Sequence, residues 1–317
     1  MATLTISPED EKKVKARGFL SNKGTDNFSG RIITINGKIT AEQQKVIGEA
    51  AEKFGNGIVT FTTRLTIEVQ GIPYDKIDDF CEYIAKAGLV TGGTGSKVRP
   101  VVACKGTTCQ YGLLDSFELS EEIHHRFYEG YRQVLLPHKF KIAVGGCPNN
   151  CVKPDLNDLG IIGQRIPNYE EDDCNGCKKC AVEKACPVNA AKMTDGVMEI
   201  DKDVCNNCGR CVGTCPFDCI EDGTYGYKIY IGGRWGKKVA QGQALSKVFT
   251  DKEEALSVIE KAILLFREQG QTGERFARTI ERLGFDNVEK QLLSDDILAR
   301  KQEILDAKLH LTGGATC

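Results

Sequence analysis

The sequence predicts an α+β protein in three parts, and three observations carry that prediction. Apolar residues at strand spacing and at helix spacing alternate through residues 1–98, two short-spaced cysteine pairs end apolar runs further along, and residues 170–222 are crowded with cysteines that break the surrounding pattern. The expected organisation is an α+β domain over 1–98, an α/β domain formed by 99–169 with 223–317, and a cysteine-rich segment over 170–222 inserted into it. A chain of 317 residues with 41% hydrophobic content can bury a sizeable core.

In the first part GRIITIN, Gly30 to Asn36, alternates like a strand, and Thr40-A-E-Gln43 is a capping box that opens a helix with the stripe Ile47, Ala50, Ala51, Phe54. Gly55 and Gly57 end it before the β-rich run GIVTFTTRLTIEVQGI. Pro73 starts the next helix, with the stripe Ile77, Phe80, Cys81, Ile84, and Cys81 reads as a small core hydrophobe. Arg64, within the β-rich run, taken alone reads as a solvated arginine on an outer strand face.

VRPVVAC is an apolar strand that delivers Arg99 and Cys104 to a loop, and a polar helix is expected from Ser120 to about Tyr131 with His124 and His125 on its surface. LPHKFKIAVGGCPNNC follows. Lys139 and Lys141 alternate with Phe140 and Ile142, which in a strand places both ammonium groups on one face and suggests an anion pocket. After the insert, YGYKIYI reads as a strand and GGRWGKK as a basic glycine-rich loop whose Arg234, Lys237 and Lys238 suit a polycarboxylate or phosphate, although no P-loop pattern is present. Thr250-D-K-Glu253 caps a helix with the stripe Leu256, Ile259, Ile263, Phe266, further helices run to about Leu309, and the ending HLTGGATC is expected to be a flexible tail with Cys317 incidental.

Charge and cysteine usage narrow the function classes. The net charge of −2 argues against nucleic acid as a main partner; no apolar run is long enough for membrane insertion, and the N-terminal stretch has no apolar signal core, so a cytoplasmic location is expected. Fifteen cysteines, most in C-x-x-C groups of a large chain, then read as metal ligands rather than disulfides. Residues 170–222 hold twelve acidic and six basic residues, a net of −6 that leaves +4 on the remainder.

Cys104-KGTT-Cys109 and Cys147-PNN-Cys151 supply four thiolates from two loops, which suits zinc or a cuboidal iron–sulfur cluster, and the C-P-N-N-C spacing after alternating lysines points past zinc. Within the insert, Cys205-NN-Cys208-GR-Cys211-VGT-Cys215-Pro216 has the bacterial ferredoxin spacing, and Cys174-NG-Cys177-KK-Cys180-AVEKA-Cys186-Pro187 repeats it with two extra residues before the last cysteine. Two [4Fe–4S] clusters follow, one on Cys174, Cys177, Cys180 and Cys215, the other on Cys205, Cys208, Cys211 and Cys186, because the last cysteine of each run serves the other cluster. Cys219 is left over.

These motifs, taken with Arg64 in FTTRLTIEVQGI and Arg99 before Cys104, resemble the sirohaem-dependent sulfite and nitrite reductases. The resemblance is nearest to anaerobic, dissimilatory-type sulfite reductase catalytic subunits with an inserted ferredoxin domain, and it runs to about residue 285. It implies a ferredoxin-like half domain over 1–98, a domain binding sirohaem and a [4Fe–4S] cluster, and an inserted 2[4Fe–4S] ferredoxin domain. Three clusters are implied in all, the first held by Cys104, Cys109, Cys147 and Cys151 with Cys151 bridging to the haem iron. Arg64, Arg99, Lys139 and Lys141 match the basic residues that hold the anion, which moves Arg64 from surface to site, and Arg31, Lys153 and Arg234 become candidates for the haem carboxylates.

The implied reaction is the six-electron reduction of sulfite to sulfide. Nitrite reduction is the rival of the same chemistry, and an electron-transfer or sirohaem-binding protein without turnover the rival of another class. An electron-donor protein, or flavin or iron–sulfur subunits, is the expected partner. The chain departs from the family pattern in its C-x4-C first pair, where C-x5-C is usual, and in holding one copy of the repeated half, which makes a homodimer or docking with donor subunits reasonable.

Overall fold

A computed structural model describes residues 6–309, so the tail from His310 to Cys317 lies outside the described residues. In chain order the elements are α1 (Pro8–Ala16), β1 (Phe19–Ser21), β2 (Asn27–Ile32), α2 (Ala41–Phe54), β3 (Val59–Phe61), β4 (Ile67–Pro73), α3 (Ile77–Ala85), β5 (Val102–Ala103), α4 (Ser116–Ile123), β6 (Ile142–Gly145) and β7 (Leu159–Pro167). Then come α5 (Ala181–Ala185), β8 (Ala191–Thr194), β9 (Val197–Ile200), β10 (Gly223–Ile231), β11 (Gln243–Phe249), α6 (Lys252–Gln269), α7 (Phe276–Leu283), α8 (Phe285–Leu293), α9 (Asp296–Ala299) and α10 (Lys301–Asp306).

β1, β2, β4 and β3 form an antiparallel sheet in that order, and β11, β10, β7, β6 and β5 form a second. The first sheet buries Phe19, Phe28, Ile32, Val69 and Ile72 against Ile47, Ala50, Ala51 and Phe54 of α2 and Ile77, Phe80 and Ile84 of α3. The Thr40 capping box forms: Gln43 N–H donates to Thr40 Oγ1 at 3.1 Å, and Thr40 N–H to Gln43 Oε1 at 3.0 Å. Cys81 packs half-buried against this core.

Several local expectations shift. The GRIITIN strand lies earlier, at β2, because its pairing with β1 and β4 ends at Ile32. The β-rich run is a hairpin, and Arg64, expected on a strand face, rides on its turn: Thr62 N–H donates to Thr66 O at 2.8 Å and Leu65 is left-handed at φ 58. VRPVVAC is a strand only at β5; Pro100 has no N–H to donate to a ladder. The helix expected from Ser120 starts at Ser116, with Ser120 buried. It continues as a π-turn over His124–Glu129 that carries His124 inward, 2% exposed, while His125 stays outside. Both imidazoles reach Glu129, His124 Nε2 at 3.5 Å from five residues before it and His125 Nδ1 at 2.8 Å across the ordinary i,i+4 spacing. Asp251 caps α6 one residue after Thr250, its Oδ1 accepting Glu254 N–H at 2.8 Å, and the predicted stripe of α6 is buried.

The chain divides into two compact units. One takes residues up to 103, 118–143 and those from 260 on; the other takes 104–117 and 144–259. β6 and α6 each run across the division, and the C-terminal helices belong to the same unit as the N-terminal half.

Candidate redox site

In the second unit the two cysteine loops meet backbone to backbone. A Cβ on Gly106 would lie 2.9 Å from the Cα of Gly146, and one on Gly146 would lie 2.8 Å from the Cα of Gly106, so only glycine permits this approach. Gly146 N–H donates to the Cys104 sulfur at 3.1 Å, Cys104 N–H to Val144 O at 3.1 Å, and the Ser116 hydroxyl to Cys104 O at 2.7 Å. Burial pushes the Cys147 thiol up; Asn149 N–H opposes this, while Cys104, Cys151 and Cys109 are near enough to add to it. Among the described residues no three His, Cys, Asp or Glu groups close around one metal ion. A cuboidal cluster asks for no such convergence, because each thiolate binds its own iron. Cys151 is exposed and the other three are half-buried.

Past Cys151 the backbone turns left-handed at Lys153, φ 49. Buried Asp155 ties this turn to the basic loop after β10: Asn150 Nδ2 donates to one carboxylate oxygen at 2.8 Å, Gln241 Nε2 to the other at 2.9 Å, and Gly242 N–H to the Asp155 carbonyl at 2.7 Å. That loop carries Arg234, bridged in backbone to Ala240, and Trp235, whose ring lies 6.0 Å from Lys153 Nζ.

The insert brings its cysteines together across the repeat. Cys174, Cys177, Cys180 and Cys215 line one cavity, and Cys186, Cys205, Cys208 and Cys211 line another. The two residues by which Cys180 to Cys186 exceeds the ferredoxin spacing are absorbed by the helical turn α5, whose Val182 joins a small core with Ala191, Met198, Cys219 and Ile220. The β8–β9 hairpin turns at Asp195-Gly196, both with positive φ, a D-G signal in the sequence that attention to the cysteines passed over. Ala190 N–H donates to the Cys186 sulfur at 3.2 Å and Met198 N–H to that of Cys174 at 3.4 Å. Cys219 is buried and its thiol pushed up to about 12 by burial and by Cys215.

β7 connects the insert to the cysteine loops. At Gly163 a Cβ would meet the Gly146 carbonyl at 2.5 Å, one residue from Cys147; two residues on, Arg165 bridges Cys208 in backbone and donates N–H to Asn207 O at 2.8 Å. Arg210, between Cys208 and Cys211, lies over the Tyr111 ring at 5.0 Å, two residues after Cys109.

The expected anion-binding residues belong to the first unit. Arg64 donates to Pro100 O from Nε at 3.1 Å and from Nη2 at 2.7 Å, and to Ile142 O at 3.0 Å. Arg99 and Arg31 both donate to Gly93 O, and Arg31 also pairs with Glu68 at 2.6 Å. Lys139 and Lys141 precede β6 rather than lying in it, yet they keep the expected alternation: Phe140 between them is buried, with ring centroids 5.9 Å from Phe266 and 5.3 Å from Phe276. Two residues were missed. Burial, then the charges of Lys139, Arg275, Arg99 and Lys141, hold His138 down at about 4, and Lys139 N–H donates to its Nδ1 at 2.7 Å, as a neutral ring requires. The motif LPHKFK contained His138; nothing local marked Arg275.

Two sets of four thiols that each line one cavity, and the further pair of cysteine loops that β7 joins to them, suit iron–sulfur clusters. The chain belongs to the nitrite and sulphite reductase family: the family's 4Fe-4S domain matches residues 94–298 and its ferredoxin-like half domain residues 21–87. It is 34% identical over 247 residues to the coenzyme F420-dependent sulfite reductase of Methanocaldococcus jannaschii, covering 77% of this chain and 38% of that protein. It is 33% identical over 174 residues to a subunit of the anaerobic sulfite reductase of Salmonella typhimurium, covering 49% and 48%. The chain thus spans half or less of the length of these relatives. The fold is that of a crystal structure of dissimilatory sulfite reductase I, with TM-score 0.67, 21% identity, and coverage of 84% of this chain and 69% of that one. Among the described residues no helix is long and apolar enough to cross a membrane.

Proposed function

We propose that the chain reduces sulfite to sulfide at a sirohaem coupled to a [4Fe–4S] cluster, and that its inserted segment is a ferredoxin domain whose two clusters feed that centre. The observation that carries this reading is β7, which touches the Cys147 loop at Gly163 and the Cys208 loop at Arg165. Electrons reaching the Cys186, Cys205, Cys208, Cys211 set are then one strand from the catalytic cysteines, and the Cys174 set is the outer station. Cys104, Cys109, Cys147 and Cys151 hold the coupled cluster, with Cys151 offering its open sulfur to the haem iron; Arg31, Lys153 and Arg234 serve the haem carboxylates. When bound, the haem–cluster pair supplies repeated one-electron reduction and a metal for the substrate sulfur.

Arg64, Arg99, Lys139 and Lys141 hold the anion by charge-assisted hydrogen bonds and stabilise the negative charge that grows as S–O bonds weaken. Arg64 and Arg99 are anchored on main-chain carbonyls, and the buried Phe140 fixes the backbone between Lys139 and Lys141. Six electrons come from a donor protein or a flavin or iron–sulfur subunit, and a second copy of the chain is a candidate partner.

Anaerobically purified protein tests this reading by its absorption spectrum and by turnover with a reduced viologen dye. A sirohaem band with sulfite-dependent dye oxidation and sulfide release is expected. Broad cluster absorption without a sirohaem band would sink the reading; faster turnover on nitrite, which the family description also names, would transfer it to that anion.

A further inference from the structure

Asp155 takes no part in the proposed reaction, yet two loops of the site meet on it. It is 7% exposed, and its carboxylate accepts from Asn150 Nδ2 at 2.8 Å on one oxygen and from Gln241 Nε2 at 2.9 Å on the other. Asn150 is the residue before Cys151, and Gln241 stands at the foot of the loop that carries Arg234. A buried carboxylate is costly unless its oxygens are engaged, and here each loop engages one.

Both loops have a shape that needs holding. On the cysteine side, Asn150 at φ 56 and Lys153 at φ 49 bracket Cys151 with two left-handed residues, a conformation that persists where surrounding bonds over-determine it. On the other side, Arg234 and Ala240 exchange backbone hydrogen bonds at 2.8 and 3.0 Å and close a hairpin whose tip, Trp235 to Val239, is exposed throughout. The foot of that hairpin is seated on Asp155. Gly242 N–H donates to the Asp155 carbonyl at 2.7 Å, and a Cβ on Gly233 would lie 2.2 Å from the same oxygen.

We propose that Asp155 is a positioning residue for the redox centre. Its carboxylate locks the Cys151 loop to the Arg234 hairpin, so that the sulfur assigned to the haem iron and the cations assigned to the haem carboxylates are set as one piece. The grip on sirohaem is then assembled beforehand, and releasing the hairpin weakens it while the four cysteines keep their cluster. This rests on the sirohaem reading of the site, and the two fail differently.

The test exchanges the two partners of one bond. Gln241→Glu, at an exposed position, replaces the donor amide by a second carboxylate facing the first; adding Asp155→Asn returns a donor and an acceptor to the pair. Wild type and both variants are purified anaerobically as holoprotein. They are compared for sirohaem and acid-labile sulfide per chain and for the rate of tryptic cleavage after Lys237 and Lys238 at the hairpin tip. Gln241→Glu is expected to raise that rate on the order of tenfold, as loss of one hydrogen bond to a charged group does, and to lower sirohaem at unchanged sulfide. The double variant is expected to return both towards wild type. Cleavage and sirohaem unchanged in Gln241→Glu, or a double variant no better than the single, would overturn the proposal. Faster cleavage with wild-type sirohaem content would reduce the clamp to a purely structural tie and overturn it equally. Wild type that binds clusters but no sirohaem would sink the sirohaem reading, and the proposal with it.

Discussion

The cysteine sets and the cationic cluster are assembled in opposite ways. Each set in the insert draws its cysteines from fewer than fifty residues, and their sulfurs are met by nearby backbone N–H groups such as those of Ala190 and Met198. The cations around His138 join Lys139 and Lys141, its neighbours in sequence, to Arg99 and Arg275, each far from it in the chain. Metal ligands at short range are set by chain geometry, so spacing reveals them. A charge cluster needs no fixed spacing, only a fold that folds back on itself.

Three substitutions would break or sharpen that contrast. Lys141→Ala should have the largest effect on chemistry and the least on the cofactors: the spectrum is retained and kcat/KM falls on the order of 10²–10³-fold, the cost of one preorganised donor. Unchanged turnover would remove the lysine from the site. Gly146→Ala acts on the other side of the contrast. Its new Cβ, 2.8 Å from the Gly106 Cα, should force the cysteine loops apart, costing roughly 1–3 kcal/mol in thermal or denaturant unfolding and lowering bound iron. An unaltered Tm and iron content would show that the loops yield without cost.

The smallest effect concerns pH. His138 has its folded pKa at about 4, below the ordinary 6.5, so as pH falls from 6.5 towards 4 the unfolded chain takes up a proton that the native state refuses. Stability contributed by the neutral ring is present above that window and declines within it. His138→Asn should flatten this part of the stability–pH curve relative to wild type in denaturant titrations; identical slopes would place His138 away from the positive field. Bound sulfite, being negative, should reduce the decline in wild type.

Much of the fold was legible because the period of apolar residues is a local property. The Thr40 capping box, the α2 and α3 stripes and the β10 strand all lie where the pattern placed them. What escaped depended on partners: the hairpin turn beneath Arg64, the π-turn that buries His124, and the interleaving of the two units through β6 and α6. Arg64 shows the limit well, since taken alone it read as a solvated arginine and only the family resemblance moved it to the site, while its bonds to Pro100 and Ile142 carbonyls emerge only in the folded chain.

By itself the sequence determined the cysteine spacing and the ferredoxin-type repeat of that spacing, because ligand spacing is written in neighbouring residues. Only the tertiary structure decided that β7 joins the Cys147 loop to the Cys208 loop, that Arg275 stands among the cations around His138, and that Cys219 lies buried beside Cys215. Those facts rest on packing between residues distant in the chain, where burial and the positions of neighbours, not local pattern, set which groups meet.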